Sequence, residues 1–489
     1  MGHKLKIAGW VSVGLVAGAL TTVSLQTVAR STLAPLPLEE LQQLAEVFGM
    51  IKTNYVEPVD EKKLITDAIA GMVSGLDPHS VYLDKKALKD FNEGTTGKFV
   101  GVGIEITQEE GFIKVVSPIE GSPAFRAGLK PNDLITKIDD TPVKGLTLNE
   151  GVKRMRGEPD TKVVLTVFRR DESRTFTVTV VREVIRTQSV RAKVIEPGFA
   201  WVRVSQFQER TVADFSRKLN EIYKEEPRLK GLVLDFRNDP GGFLDAAVAI
   251  SAVFLPENVT VVSANGQLPE SKFTYKASPG YYARRGNDPL KLLDEAASKA
   301  LKSVPLVVLV NEGSASASEI VAGALQDHKR AKLLGSQTFG KGSVQTAVCL
   351  ETRYRLENCP TAGLKLTTSR YYTPSGRSIQ AKGIVPDLMV DETAEGNLFA
   401  VLRTREADLE KHLGDGKNPL ATNPELEKAR EEARKRLDEE LKKPAAERRL
   451  PEFGSGNDFQ LKQAINLLKG REVQVSKTMT ERPEAKKEL

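Results

Sequence analysis

The sequence predicts a multidomain α/β protein, and three observations carry that prediction. Apolar residues recur at helical spacing through residues 36–92, as in Leu38, Leu41, Leu44, Val47, Phe48 and Ile51, and again in Leu64, Ile65, Ala68, Ile69 and Met72. Short β-rich runs separated by turn residues fill 99–183. Strand-like and helical runs then alternate over 190–392, the pattern of crossover connections in an α/β core.

Each stretch has its own elements. Pro58 and Asp60 mark a turn and a helix start inside 36–92. In the second stretch the runs Val102 to Ile106, Phe112 to Val116, Asp133 to Ile138, Val163 to Phe168 and Thr175 to Val181 surround one helical segment, Leu148 to Met155. That makes a small, partly open β-sandwich or barrel-like domain. In the third, strands are expected at Ala200 to Val204, Leu232 to Phe236 and Leu306 to Val310, with helices at Val212 to Tyr223, Asp245 to Phe254 and Ser318 to Gln326. Residues 393–489 are dense in charge with a helix-forming composition. A short amphipathic helix is expected from Phe459 to Leu468, and a disordered tail over the last 20 residues.

Composition excludes several functions. The chain has 489 residues, 40% hydrophobic and 28% charged, with a formal charge of only +6. No basic stripe interleaves aromatics, so nucleic acid is not the expected partner. Two cysteines, Cys349 and Cys359, and four histidines make neither a disulfide scaffold nor a zinc signature, so no metal or cofactor is expected. Residues 1–30 stand apart: Lys4 and Lys6 precede an apolar run from Ile7, ending at the loose small-x-small match Thr27-Val28-Ala29. The segment reads either as a cleaved export signal or as a retained membrane anchor. Both place the body in the periplasm or cell envelope, where Cys349 and Cys359 can pair.

Three segments carry the chemistry. Val308 to Ile320 runs from a buried strand through Gly313-Ser314-Ala315-Ser316-Ala317-Ser318 into a helix. A serine there stands near free N–H groups that can stabilise an oxyanion, although serines in that place also serve as plain caps. Gly335 to Gln345 sets Lys341 between Gly340 and Gly342. A lysine becomes a base for a serine hydroxyl once burial lowers its pKa, and Ser343 and Gln345 are placed to bond its amine. The same stretch begins like a phosphate-binding loop, but Gly342 replaces the required Ser or Thr and a strand, not a helix, follows. His328 lies 12 residues past Ser316, about 18 Å along a helix, and His79 belongs to a different stretch, so neither is expected as the base. The third segment, Leu234 to Asp245, ends a strand in the paired glycines Gly241-Gly242, whose N–H groups are open to an oxyanion.

Taken together, Asn238-Asp239-Pro240-Gly241-Gly242, Gly313 to Glu319 and Thr338 to Gln345 resemble the carboxyl-terminal processing, or tail-specific, proteases. Leu76-Asp77-Pro78-His79-Ser80-Val81-Tyr82-Leu83, Leu364-Lys365-Leu366-Thr367 and Arg370 to Gln380 resemble further family segments, in family order over about residues 36–392. The resemblance implies Ser316 as nucleophile, Lys341 as base 25 positions later and Gln345, four beyond, as its orienting partner. It implies an oxyanion hole from the Ala317 N–H and one N–H of the Gly241-Gly242 turn. Residues 99–183 resemble a PDZ domain, with Val100-Gly101-Val102-Gly103-Ile104 as the carboxylate-binding loop and Leu148 to Met155 walling the groove.

The implied function is a serine endopeptidase that takes envelope proteins by apolar C-terminal tails. The alternative is an inactive PDZ scaffold, against which both Ser316 and Lys341 stand intact. A homo-oligomer built through the helical termini, an adaptor protein and membrane association through the N-terminus are expected partnerships. Two stretches depart from the family pattern. Residues 276–303 read as an insertion, a surface loop or a substrate-access element, and residues 349–360 lengthen a hairpin that Cys349 and Cys359 are placed to staple.

Overall fold

A computed structural model describes residues 37–284, 286–397, 402–414, 424–443, 452–476 and 479. The segment expected to be an export signal or anchor lies outside the described residues; among them, no helix is long and apolar enough to cross a membrane. The chain divides into two compact units, residues 1–72 and 73–489. In the first, α1 (Leu38–Asn54) buries none of its residues, and α2 (Glu61–Ser74) follows the turn at Pro58.

The second unit opens with β1 (Val81–Leu83) and α3 (Lys85–Thr96), capped by the Asp84 side chain on the Ala87 N–H. The strand lies inside the region expected to be wholly helical. Three residues are too short to show a period of two, and β1 exists only through its antiparallel partner far along the chain.

The β domain follows. β2 (Lys98–Gly101) pairs with β9 (Glu183–Arg186), so one ribbon carries the chain into the domain and out of it. Between them lie β3 (Ile104–Glu109), β4 (Phe112–Pro118), α4 (Pro123–Arg126), β5 (Leu134–Ile138), β6 (Thr141–Pro142), α5 (Leu148–Met155), β7 (Lys162–Arg169) and β8 (Arg174–Val181). The strand expected from Val102 starts at Ile104. Val102 and Gly103 form a loop instead, because Gly103 takes a φ of 79° and its carbonyl accepts the Ser122 hydroxyl at 2.8 Å. The helix Leu148–Met155 forms as expected, with a capping box between Thr147 and Glu150.

The α/β core has the strand order β10-β11-β12-β15-β16-β19. These are β10 (Val190–Glu196), β11 (Phe199–Val204), β12 (Gly231–Asp235), β15 (Leu306–Val310), β16 (Lys332–Gly335) and β19 (Leu388–Met389), all parallel from β11 onward. The crossovers carry α6 (Thr211–Glu225), α7 (Leu244–Phe254) and, after β15, a helix described with the site below. Strand residues alternate between two apolar layers: Leu306, Val308 and Val310 face the large core, and Val307 and Leu309 face a smaller one. A second, antiparallel sheet joins β1, β13 (Thr260–Gly266), β14 (Phe273–Lys276), β17 (Ser343–Cys349) and β18 (Gly363–Tyr372). Cys349 and Cys359 form a disulfide across the β17–β18 hairpin.

Two further expectations need correction. Residues 276–303 are not a plain surface loop. They hold α8 (Pro279–Tyr282) and α9 (Glu295–Leu301), and Tyr282, Leu293, Ala297 and Leu301 are buried in the main core. The start of the tail is also placed: the Ser476 N–H donates to the Met389 carbonyl at 2.7 Å and the Gln474 N–H to Gln463. Residues 480–489 lie outside the described residues.

The C-terminal region contributes α11 (Pro424–Lys442) and α12 (Phe459–Leu468), separated by undescribed residues; the helix between β15 and β16 is therefore α10 (Ala317–Asp327). The amphipathic pattern of α12 has a definite counterpart. Leu461, Ala464 and Ile465 cover Trp201, Val233, Val307 and Leu334 on the sheet face opposite the main core. Burying that face is the hydrophobic reason the C-terminal segment docks.

Candidate active site

Three neighbouring parallel strands, β12, β15 and β16, end on the same edge of the sheet, and the three chemistry-bearing segments are the turns that follow them. This is where open α/β sheets place their sites. The turns are stitched together. The Asn238 N–H donates to Asn311 Oδ1 and the Asn311 amide returns to Asn238 Oδ1, both at 2.8 Å. The Ala315 N–H donates to the Asp239 carbonyl at 2.9 Å, and the Phe339 N–H to the Ser314 carbonyl at 3.0 Å.

The three serines separate by what their hydroxyls do. Ser314 is fully buried and donates to the Phe236 carbonyl at 2.8 Å. Ser318 is fully buried too, with its hydroxyl on the carbonyls of Asp239 and Ala315. Both therefore hold the turn. Ser316 is half-buried at the N-cap of α10, and its hydroxyl donates to no described residue. Its backbone sits at φ 55°, ψ −111°, a costly conformation for a residue with a side chain. The surrounding turn hydrogen bonds keep it there.

Glu319 joins the two halves of the site. This carboxylate, fully buried, accepts the Ser316 N–H at 2.8 Å and the Lys341 N–H at 2.9 Å on the same oxygen, Oε2. Its other oxygen takes the Thr338 hydroxyl and the Gly340 N–H. One carboxylate thus fixes both backbones at once. Burial pushes its pKa up to about 7 against the pull of those four donors.

Lys341 Nζ donates to no described residue. Burial pushes its pKa down to about 8, the Lys365 charge adds to the fall, and the carboxylates of Glu406, Glu319 and Asp77 resist it. Ser343 and Gln345 do not bond the amine as the sequence reading expected. The Gln345 amide nitrogen donates instead to the Ser343 hydroxyl at 2.9 Å and to the Thr367 hydroxyl at 3.1 Å. Thr367 in turn donates to Asp77, which also accepts from Ser80. With its nitrogen so engaged, Gln345 keeps Oε1 for another donor.

The glycine turn packs against the serine. A Cβ on Gly241 would stand 2.8 Å from the Ala317 nitrogen and 2.8 Å from Ser316 Cβ, and one on Gly242 would stand 2.0 Å from the Phe207 carbonyl oxygen. Of the two, Gly241 has its N–H committed to Asp239 Oδ1 at 2.8 Å. No described residue accepts from the N–H groups of Gly242 or Ala317. Asp239 is itself buried with Oδ2 unpartnered, and burial pushes its carboxyl well above the usual range.

His328 bonds the Thr260 carbonyl at 2.7 Å and takes no part in the site. In the β domain, Val102 and Gly103 are buried in their loop, and among the described residues none accepts from their N–H groups. The sequence reading passed over Glu319, although Ser316-x-x-Glu319 has the spacing of a capping box and that signal was available. It also passed over Glu406, for which no local pattern exists.

Residues 198–390 match peptidase family S41, residues 100–180 match the PDZ domain, and residues 16–87 match the N-terminal domain of the activating protease CtpB. The chain is 42% identical over 382 residues to the carboxy-terminal-processing protease of Bartonella bacilliformis, covering 77% of this chain and 82% of that one. It is 39% identical over 366 residues to the "Probable CtpA-like serine protease" of Staphylococcus aureus, covering 75% and 68%. Among solved structures, the photosystem II D1 C-terminal processing protease aligns at 31% identity over 71% of this chain and 86% of its own, with a TM-score of 0.39. The fold, with its PDZ domain ahead of an α/β core, is that of a serine-type peptidase. The chain belongs to the carboxy-terminal-processing proteases of peptidase family S41.

Proposed function

We propose that the protein is an endopeptidase that captures protein substrates by an apolar C-terminal tail and cuts them with Ser316 and Lys341. The observation that carries this reading is the shared Glu319 oxygen, which holds the serine and lysine backbones together. Ser316 Oγ attacks the peptide carbonyl as its proton passes to neutral Lys341 Nζ. Negative charge gathers on the carbonyl oxygen, which takes the N–H groups of Ala317 and of the Gly241-Gly242 turn; the free N–H at Gly242 favours that glycine. The C–N bond then breaks as Lys341 returns the proton to the leaving amine. Water, deprotonated by the same lysine, releases the acyl group. Gln345 Oε1 accepts from the lysine ammonium and orients it.

Of the expected loop, Val100 and Gly101 belong to β2 and Ile104 to β3, so the Val102-Gly103 loop between them receives the tail carboxylate on its N–H groups, and the tail adds as a strand beside β3. We infer an exported, envelope or periplasmic protein, through the sequence pattern of residues 1–30 alone. Helical ends suit a homo-oligomer and contact with an adaptor.

Digestion of an unfolded protein with an apolar C-terminus tests the reading. The full chain should cut it, Ser316→Ala should leave no detectable cleavage, and a charged replacement of the tail's last residues should slow it. Cleavage by Ser316→Ala at the parental rate would overturn the assignment. Gly241→Ala should lower kcat about a hundredfold, the usual cost of a damaged oxyanion hole, because its Cβ would crowd Ser316 and Ala317. Circular dichroism would check that this variant stays folded.

A further inference from the structure

Two residues outside the S41 match, one on each side of it, meet beside the loop that carries the lysine. His79 precedes β1 and Glu406 follows β19. They meet at 2.7 Å between His79 Nε2 and Glu406 Oε2. A carboxylate only accepts, so Nε2 carries the proton. The His79 main chain is pinned in turn, its N–H on Asp77 Oδ1 at 2.8 Å. Glu406 is fully buried, and its second oxygen accepts the Gln380 amide at 2.9 Å. Gln380 passes the connection on, accepting the Gly342 N–H at 3.0 Å. The Glu406 N–H also donates to the Phe339 carbonyl at 3.0 Å, and neighbouring Arg405 donates to the Thr338 carbonyl. Every residue from Thr338 to Gly342 is thereby tied to this segment, to Gln380 or to Glu319.

We propose that Glu406, clasped between His79 and Gln380, is a positioning residue for Lys341: it fixes the lysine loop and supplies the counter-charge for the ammonium formed during the reaction. The inference rests on the Ser316/Lys341 reading above. Its chemical reason is direct. When Lys341 takes the serine proton, a positive charge arises in a half-buried place, and a buried charge without a partner is costly. The charged groups facing the lysine are Lys365 from β18, Glu319 from α10, Asp77 before β1 and Glu406. Glu319 and Asp77 are engaged with four donors each, so their charge is already spread over hydrogen bonds. Among the described residues the Glu406 carboxylate accepts two side-chain hydrogen bonds, from His79 and the neutral Gln380, so its charge is less spread than that of the other two.

The experiment measures kcat and KM against pH for the full chain, Glu406→Gln, His79→Leu and Lys341→Ala. Glu406→Gln keeps the shape and removes the charge. The acid limb of kcat should move to lower pH by roughly half a unit or more, since the ammonium loses an opposite charge. The plateau kcat should fall about tenfold with KM unchanged. His79→Leu takes the donor away from a side chain that is 14% exposed rather than from the buried carboxylate. It should move the limb upward, because Glu406 then keeps only the Gln380 donor and its charge is less spread. It also keeps the test alive if Glu406→Gln unfolds. A limb that stays in place in the folded variants, with Lys341→Ala inactive, overturns the positioning role; a merely structural contact would lower kcat and the melting temperature without moving the limb. Cleavage by Lys341→Ala at the parental rate would instead bring down the underlying Ser316/Lys341 reading.

Discussion

Lys341→Ala should lower kcat for an unfolded protein substrate by about a thousandfold, within the usual range for loss of a positioned general base. A serine hydroxyl is a poor nucleophile with no acceptor for its proton, and among the described residues no histidine is placed to take over: His328 is bound to the Thr260 carbonyl and His79 to Glu406. The variant should fold, because alanine removes an amine whose burial opposes its charge. The intact protein should show the matching pH dependence. Lysine acts as a base only when neutral, so with a pKa of about 8 activity should rise as pH passes through 8 and level off above it. Glu319, with a pKa of about 7, titrates just below and should steepen the fall in acid, since a protonated carboxyl holds the Ser316 and Lys341 N–H groups less tightly. A profile that is flat from pH 6 to 9 would rule out a lysine base.

Asp458→Ala should destabilise the fold by about 3–5 kcal/mol, the range for removing one partner of a buried ion pair. Arg237 is fully buried at the end of β12. Its guanidinium bonds Asp235 at 2.6 Å and 2.9 Å, Asp458 at 2.6 Å and 2.8 Å, and Gln460 at 3.2 Å. The Phe453 ring lies 4.2 Å from it. Two carboxylates and a ring replace the water an arginine would otherwise keep. Without Asp458, the guanidinium loses two charge-assisted bonds and cannot escape to solvent. Asp458 also caps α12 through the Leu461 N–H and holds the Gly454 N–H, so the helix loses its start as well. Arg237 is the residue before the Asn238 turn, so catalytic activity should fall together with stability. Chemical denaturation of the full chain measures the first effect. An unchanged midpoint would mean that the C-terminal segment is not anchored through this network.

The core strands and helices were legible because their patterns are local. Leu306 to Val310 is uniformly apolar because a central parallel strand is covered on both faces, and the structure buries all five residues. Leu148–Met155 carries its own start signal in Thr147 and Glu150, and the helix forms over those residues. The same holds for the outline of the site: glycines and serines at the ends of apolar strands are visible in one dimension, and their order matches a known family.

What the sequence by itself determined was therefore the set of elements, the PDZ-plus-protease class and the segments that gather at one sheet edge. Only the tertiary structure decided which atoms within those segments are free to act. Ser314, Ser316 and Ser318 look alike in sequence, and two of them are consumed by carbonyls that arrive from the neighbouring turn. The lowered pKa of Lys341 comes from burial and the Lys365 charge, set against Glu319, Asp77 and Glu406, the last of which is 65 residues further along the chain. Likewise β1 exists by pairing with β18, and the residues of 276–303 became core because α6 and α7 offer them apolar surface. The physical reason is common to all of these. Periodicity and capping act over a few residues, whereas burial, hydrogen-bond commitment and the field of distant charges are set by what the fold brings together.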